Sequence, residues 1–177
     1  MTKAVLINGG NSVTSRLTGV QQSIESLLEQ YGISHETIQV HQLPAEDLIT
    51  ANYASETIAK EIVKVGEADI VFFHTPIYNG SYKKIKKTFI DLLPQKGLEN
   101  KAVVPVAIGG SIAHLLALEY SLKPVLSILG ATTISSPIYI VDSQVTKTDT
   151  GFIVEEAAKE RIEKVWESVA PKSKVTV

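Results

Sequence analysis

The sequence predicts an α/β protein, a three-layer α/β/α sandwich around a five-stranded parallel sheet. Apolar runs of strand length alternate with segments of helical period five times along the chain, and no internal repeat or linker interrupts them. The 177 residues are enough for one domain with its own core. Consecutive βα units need right-handed crossovers, and these place helices on both faces of the sheet.

The first half of the chain contains the first two units and the start of the third. Residues 4–8 form a continuous apolar run typical of a buried strand, and residues 15–31 carry apolar side chains on one helical face. Residues 34–41 alternate between apolar and polar, which favours an edge strand. A short helix is predicted over 55–65. Residues 69–74 have the β-rich composition of a central strand.

The second half of the chain continues the alternation to residue 169. The elements predicted there are a basic amphipathic helix at 82–93, a strand at 102–108, a helix at 111–129, a strand at 132–141 and a helix at 154–169. Residues 1–170 are therefore expected to form one domain. Residues 171–177 are expected to be a short, poorly ordered tail.

Pro124 lies inside the predicted helix at 111–129. It has no N–H group and crowds the carbonyl group of Tyr120, so the helix is expected to be distorted there. Apolar residues occur nearly all round this helix, as expected if one side packs on the sheet and the other on a second subunit. The alternative is a kinked core helix in a monomer.

Composition limits the chemistry of the protein. There is no cysteine, which excludes disulfides, thiolate metal sites, iron–sulfur clusters and thiol catalysis, so redox chemistry requires a bound cofactor. The four histidines form no metal-binding pattern, and no metal is expected. The net charge of −2 does not favour nucleic acid as a partner. With no targeting signal and no apolar run of about 18 residues, we expect a cytoplasmic protein that does not enter a membrane.

The loop after the first strand is a candidate phosphate site, because ligands of parallel α/β sheets bind beyond the carboxyl ends of the strands. Its glycines permit a tight turn, and its hydroxyl groups and the following helix N-terminus suit a terminal phosphate. It matches neither the Walker A nor the Gly-x-Gly-x-x-Gly pattern. The alternative is a simple N-capping turn. The candidate residues are Gly10, Asn11, Ser12, Thr14, Ser15 and Arg16.

The loop after the third strand is a candidate site for a flat heteroaromatic ring. A turn constrained by proline and relieved by glycine, with a flanking aromatic, offers rigid N–H and C=O groups to the polar rim of such a ring. The alternative is an ordinary strand-to-helix turn. The candidate residues are Pro76, Ile77, Tyr78, Asn79 and Gly80.

The loop after the fourth strand has a pair of glycines, which allow a ring to approach the backbone closely. The alternative is a helix-entry turn with a serine cap. His114, one turn into the helix, is expected to satisfy local hydrogen bonds, and no residue is assigned a catalytic role. The candidate residues are Gly109, Gly110 and Ser111.

These three loops, in this order, resemble the NADPH-dependent FMN reductase family, which has the flavodoxin-like fold. Within that family the resemblance is closest to the reductases of two-component alkanesulfonate monooxygenase systems. The most specific segments are Thr-Pro-Ile-Tyr at 75–78, Asp-Leu-Leu-Pro at 91–94, Gly-Gly-Ser-Ile-Ala-His-Leu-Leu-Ala at 109–117, Tyr-Ser-Leu-Lys-Pro-Val-Leu-Ser at 120–127 and Asp-Ser-Gln-Val at 142–145.

The phosphate loop departs from the family pattern. The family usually has Gly-Ser-x-Arg where this chain has Gly-Gly-Asn-Ser at 9–12, whereas Ser15 and Arg16 keep the matching pattern. The resemblance therefore implies phosphate binding by this loop with partly different contacts.

The resemblance implies hydride transfer from NADPH to FMN, with FMN as a substrate or a loosely bound cofactor. It also implies a homodimer or homotetramer, delivery of reduced flavin to an FMNH2-dependent monooxygenase, and a π-helix at Tyr120 in a tetramer interface near the flavin. Hydride transfer needs no protein acid or base. Three alternatives stay open: a quinone or azo reductase that retains FMN, a flavodoxin-type electron carrier, and a binding module without flavin.

Overall fold

The computed structural model shows a mostly parallel central sheet with helices on both faces, and it describes residues 1–82 and 84–171. Residues 172–177 of the predicted tail lie outside the described residues. The strands are β1 (Lys3–Asn8), β2 (Ser34–Gln39), β3 (Ile70–Tyr78), β4 (Ser81–Tyr82), β5 (Ala102–Gly109), β6 (Thr133–Ile134), β7 (Ile138–Val141), β8 (Val145–Thr148) and β9 (Gly151–Val154). The helices are α1 (Arg16–Gln30), α2 (Ala45–Ile49), α3 (Glu56–Glu67), α4 (Lys84–Ile90), α5 (Lys123–Ile128), α6 (Glu156–Val169) and a π-helix (Leu118–Leu122).

The strands pair in the order β2-β1-β3-β5, and both β6 and β7 pair with the outer edge of β5. All of these pairings are parallel, which confirms the predicted fold class. Strand β2 lies at the edge of the sheet, as its alternating pattern predicted. Strand β4 adds an antiparallel partner to the end of β3, and β8 and β9 form a separate hairpin.

Each face of the sheet has its own apolar core. One core packs the sheet against α3, α4 and α5 through side chains that include Ile58, Phe89 and Leu126. The other packs it against α1 and α6 through side chains that include Ile24 and Trp166. The three layers therefore leave the carboxyl edge of the sheet, where β1, β3 and β5 end, open at one side of the molecule.

Strand β3 continues past its predicted end, so residues 75–78 are strand and not loop. Its pairing with β1 stops at His74, which leaves one edge unpaired and tolerates Pro76, a residue without an N–H group. Asn79 and Gly80 have φ angles of 50° and 70°. These values suit a two-residue type I′ turn, which joins β3 to β4 as a hairpin.

The helix predicted at 111–129 is present as consecutive helical segments of different type. A 3-10 turn (Ile112–Leu115) leads to the π-helix, and α5 follows directly. The distortion expected from Pro124 takes the form of this π-helix, in which the Lys123 N–H group donates to the Leu118 carbonyl five residues earlier. The helical turn just before Pro124 therefore contains one residue more than a turn of α-helix.

Other elements differ from the prediction in extent. The strand predicted at 132–141 is divided into β6 and β7, because the intervening segment contains Pro137, which has no N–H group for the sheet. The helix predicted at 154–169 begins at Glu156, since the preceding residues form the β8–β9 hairpin. Helix α4 is shorter than the predicted 82–93, and α2 was not predicted.

No helix in the described part of the chain has the length and apolar character needed to cross a membrane. Within residues 1–82 and 84–171, no group of three or more His, Asp or Glu side chains is placed to hold a metal ion. Among the histidines, His74 is fully buried in the sheet, whereas the other three are partly exposed.

Candidate functional site

A cavity of about 350 Å³ lies at the carboxyl edge of the sheet, where the loops after β1, β3 and β5 meet. We call it the edge cavity. Its volume is within the range of small-molecule sites, roughly 300–1,000 Å³. Predicted residues from all three loops line it, namely Ser12, Thr14, Ser15, Arg16, Pro76, Ile77, Tyr78 and Gly109. The other candidates, which lie in the same loops but not on the cavity wall, are Gly10, Asn11, Asn79, Gly80, Gly110 and Ser111.

The β1–α1 loop brings hydroxyl groups and the start of a helix to one end of the edge cavity. Ser15 is the N-cap of α1, and its Oγ accepts a hydrogen bond from a first-turn amide. Ser12 Oγ accepts from the Thr14 N–H group at 3.0 Å and lies 2.7 Å from Thr14 Oγ1. The amides of Asn11 and Val13 take no part in the hydrogen bonds found among residues 1–82 and 84–171. This end therefore offers donors to an anion.

A buried amide network supports the loop from below. Asn8 Oδ1, at the end of β1, accepts from the Gly10 N–H group at 2.8 Å, and Asn8 Nδ2 donates to Gln21 Oε1 at 2.6 Å. Gln21 also accepts from Gln39 of β2 at 3.0 Å and donates to Glu25 at 3.0 Å. We call Asn8, Gln21, Glu25 and Gln39 the Asn8 network. It ties the phosphate-side loop to both β2 and α1.

The opposite end of the edge cavity is formed by the end of β5, where Gly109 carries no side chain, and by the β3–β4 hairpin. A Cβ atom at Gly109 would lie 2.3 Å from the Tyr139 hydroxyl oxygen, so no side chain fits there. That hydroxyl donates to the Ser111 carbonyl at 2.7 Å. Burial and the charge of Asp142 raise the pKa of Tyr139, which keeps it protonated as a donor at neutral pH. Tyr78 is 56% exposed at the rim of this end.

Two fully buried basic side chains lie in the core beneath the cavity, His74 of β3 and Lys86 of α4. Their side-chain nitrogens make no hydrogen bond to any residue that the structure describes. Lys86 Nζ lies 4.8 Å from the centre of the Phe73 ring. Burial lowers the pKa of Lys86 well below its usual value. Burial, and then the charge of Lys86, lower the pKa of His74 to about 3.

The family model described as "NADPH-dependent FMN reductase" matches residues 2–146, a range that includes all three loops. The chain belongs to the NADPH-dependent FMN reductase family. Membership in this family favours an enzyme over the electron carrier and the flavin-free binding module among the open alternatives. It agrees with the resemblance carried by the loop motifs.

Relatives and solved structures support the same family. An FMN reductase (NADPH) of Pseudomonas putida strain KT2440 is 41% identical over 141 residues, which cover 80% of this chain and 72% of the relative. An FMN reductase (NADPH) of Escherichia coli strain K12 is 33% identical over 143 residues, 81% of this chain and 75% of the relative. The apo form of the NADH:FMN oxidoreductase EmoB superposes with a TM-score of 0.80 at 29% identity, covering 98% of this chain and 92% of that structure.

The edge cavity of this FMN reductase family member also has lining residues that were not predicted as binding residues, namely Ile108, Asp142 and Lys147. Asp142 directly follows β7, so the rule that led to the other loops also applies to it. Lys147 belongs to the β8–β9 hairpin. The sequence contains no signal that assigns it to the site, because the hairpin itself was not predicted.

Tyr120 lies outside the edge cavity. It is in the π-helix and is 78% exposed. The π-helix lies against β4, so it is a neighbour of the hairpin that forms one wall of the cavity. A subunit contact at Tyr120 stays a prediction.

Proposed function

We propose that this FMN reductase binds FMN in the edge cavity and releases the reduced flavin to a separate monooxygenase. The observation that carries the binding site is the convergence of the three loops on one cavity. NADPH supplies the hydride and FMN accepts it, so the protein's own task is to hold two nucleotides in the correct relative orientation. This division of labour agrees with a site to which no catalytic acid or base is assigned.

The phosphate of FMN is proposed to bind at the α1 end of the cavity. There the hydroxyl groups of Ser12, Thr14 and Ser15 line the wall and are placed as donors. The positive end of the α1 dipole and the exposed Arg16 favour a negative charge. FMN is therefore expected to bind more tightly than riboflavin, which lacks the phosphate.

The flavin ring is proposed to lie at the opposite end, between Pro76, Ile77 and Tyr78 on one side and Gly109 and Gly110 on the other. Gly109 lines the cavity and carries no side chain, because the Tyr139 hydroxyl occupies the place that a Cβ atom would take. The backbone at Gly109 is therefore the surface that a flat ring would meet, and the residues present fit the flavin. The cavity volume of about 350 Å³ is near the lower limit for ligand sites. A ring bound there keeps an exposed face, which suits both access by NADPH and release of the product.

We also propose that the protein is a homodimer or homotetramer through the helical segment after β5. Ile112, Leu116, Tyr120 and Ile128 of this segment are each more than half exposed. Contiguous apolar surface is a mark of protein interfaces. Sedimentation is expected to give a multiple of the 19.2 kDa chain mass, and Tyr120→Ala is expected to weaken association or increase flavin retention. A single-chain mass for the wild type contradicts this part of the proposal.

Steady-state NADPH oxidation, on protein whose bound flavin has first been removed and quantified, tests the reductase. NADPH consumption is expected to rise with added FMN and to rise less steeply with riboflavin. Reduced flavin is expected to pass a membrane that retains the protein when the reaction is run without oxygen. No NADPH oxidation with FMN contradicts the reductase, and reduced flavin held with the protein contradicts release.

A second candidate is an azo reductase that retains FMN. It is favoured by one relative, an FMN-dependent NADPH-azoreductase of Staphylococcus saprophyticus, 26% identical over 155 residues that cover 84% of this chain and 82% of the relative. It predicts protein that stays yellow through dialysis and that reduces azo dyes efficiently. The proposed function predicts that dialysis removes the flavin.

A further inference from the structure

We infer that Lys147 is a phosphate-binding residue of the edge cavity, supplied from outside the three loops by the β8–β9 hairpin. The inference rests on the proposed function and adds to it a residue that discriminates nucleotides by their phosphate. Lys147 lines the same cavity as Ser12, Thr14 and Arg16. It is thus the second basic residue on the wall at the end where the phosphate is proposed to bind.

The position of the hairpin is set by close packing against α1. A Cβ atom at Gly19 of α1 would lie 2.8 Å from Phe152 Cβ and 2.9 Å from Val145 Cγ1, so the hairpin approaches the helix at a position that needs glycine. Arg16 Nε donates to the Val145 carbonyl at 2.9 Å. The hairpin is therefore held beside the first turns of α1, next to the phosphate-side loop.

Strand alternation orients Lys147 toward the cavity. Lys147 lies two residues after the buried Val145 on β8, so both side chains are on the same face of the hairpin. Its partner across the hairpin is Phe152, and a Cβ atom at Gly19 would meet that ring. The face that carries Lys147 is thus the face that packs on α1 and borders the cavity.

The phosphate end of the cavity has few positive charges apart from Lys147. Arg16 is the only basic residue of the segment 9–16, and its Nε is already engaged by the Val145 carbonyl. Lys147 belongs to none of the ion pairs found in the described ranges 1–82 and 84–171. The carboxylate of Asp142 is on the same wall. A phosphate monoester carries a charge of about −2 at neutral pH, and without Lys147 the charges of Arg16 and Asp142 would cancel, so Lys147 gives the wall its net positive charge.

Two ligands of this enzyme class carry such a phosphate, FMN on its ribityl chain and NADPH on its adenosine ribose. The common chemistry is a phosphate monoester. The hydroxyl groups of Ser12 and Thr14 on the same wall favour the flavin phosphate as the one that meets Lys147. FMN and riboflavin differ only in this phosphate, and so do NADPH and NADH, so comparing the members of each pair shows which ligand's phosphate meets Lys147.

The experiment compares the wild type with Lys147→Gln, which removes the charge and keeps a polar side chain. KM is measured for FMN against riboflavin, and for NADPH against NADH. The loss of one charge-assisted hydrogen bond is expected to raise the KM for FMN roughly 10-fold or more. The KM for riboflavin and kcat at saturating flavin are expected to stay within about twofold. Lys147→Arg is expected to restore most of the FMN affinity.

Lys60→Gln, on the exposed side of α3, is the matched control and is expected to change none of these values. If Lys147→Gln raises the KM for NADPH and leaves the KM values for NADH and FMN unchanged, Lys147 binds a phosphate, and that phosphate belongs to the nicotinamide nucleotide. The inference is overturned if the KM values for FMN and riboflavin rise equally, or if no KM changes in the FMN–riboflavin pair or the NADPH–NADH pair. If the wild type does not oxidise NADPH, the proposed function fails separately, and equilibrium dialysis of FMN and riboflavin with the same variants still tests Lys147.

Discussion

Two pairs of buried polar side chains near the edge cavity, Asn8 with Gln21 and His74 with Lys86, differ in whether their hydrogen bonds are made. In the Asn8 network, both polar atoms of Asn8 and of Gln21 are paired. His74 and Lys86 are equally buried, and their side-chain nitrogens make no hydrogen bond within residues 1–82 and 84–171. A paired buried group contributes about 0.5–1.5 kcal/mol, whereas an unpaired one costs about 1–3 kcal/mol.

The comparison shows that burial alone does not decide the effect of a polar residue. The Asn8 network joins β1, β2 and α1 and shapes the loop at the phosphate end, so it contributes to both stability and binding. His74 and Lys86 are not among the residues that line the cavity, and their unpaired side-chain nitrogens are expected to lower the free energy of unfolding. Substitution by apolar residues is therefore expected to have opposite effects in the two groups.

The largest expected effect concerns His74 and acid. Its pKa is about 3 in the folded protein and about 6.5 in the unfolded chain, so the folded state disfavours the proton. Stability is then fully present above pH 6.5 and is lost as the pH falls toward 3. The loss is about 1.4 kcal/mol per pH unit, or roughly 3 kcal/mol between pH 7 and pH 4. Urea unfolding at these two pH values is expected to show that His74→Phe lacks this loss.

The control for His74 is His35→Gln, since His35 lies partly exposed on β2. It is expected to follow the wild-type dependence on pH. Parallel pH dependences for the wild type and His74→Phe would show that the buried imidazole is not the titrating group.

The second effect concerns Lys86. Lys86→Met keeps the length of the side chain and removes the buried amine, so the free energy of unfolding at pH 7 is expected to rise by about 2–3 kcal/mol. Because the folded state lowers the pKa of Lys86, this advantage is expected to shrink as the pH rises toward 10.5. Lys84→Met, at an exposed position of the same helix, is expected to change stability by less than about 0.5 kcal/mol. A less stable Lys86→Met variant contradicts the comparison.

The third effect uses the same replacement in the paired group. Gln21→Met removes the partner of Asn8 and Gln39 with little change in volume, and the free energy of unfolding is expected to fall by about 2 kcal/mol. The KM for FMN is expected to rise more than that for riboflavin, because Asn8 holds the Gly10 amide. Gln22→Met, exposed on the same helix, is the control. A Gln21→Met variant as stable as this control would mean that the hydrogen bonds of the network contribute nothing.

Most of the lining of the edge cavity was predictable as a location because its residues follow the ends of strands, whereas their binding of FMN stays a prediction. Ser15 and Gly109 are two such residues, one at the start of α1 and the other at the end of β5. The prediction was wrong about residues 75–78, which continue β3. Thr75 and Pro76 are strand because they pair with β5, a segment more than twenty residues away that no local pattern reports. Ile77 and Tyr78 are strand because they pair with the short β4 across the Asn79–Gly80 turn.

The β8–β9 hairpin shows the same limit at the other side of the cavity. Each of its strands has only four residues, and β8 exposes three of them, so a buried alternating pattern is absent from the sequence. Its position comes from the glycine at position 19, far away in the chain. Lys147 reaches the site only through that packing.

The amino-acid order by itself predicted the alternation of strands and helices. It also contains the residues that the local turns need, Ser15 and Ser55 at helix starts and Asn79 and Gly80 in the β3–β4 turn. These features depend on neighbours within a few residues. The pairing of Asn8 with Gln21, the isolation of His74 and Lys86 and the placement of Lys147 at the cavity depend on segments brought together by folding. Whether a buried polar group finds a partner is a property of three-dimensional contacts, which is why only the folded chain reveals it.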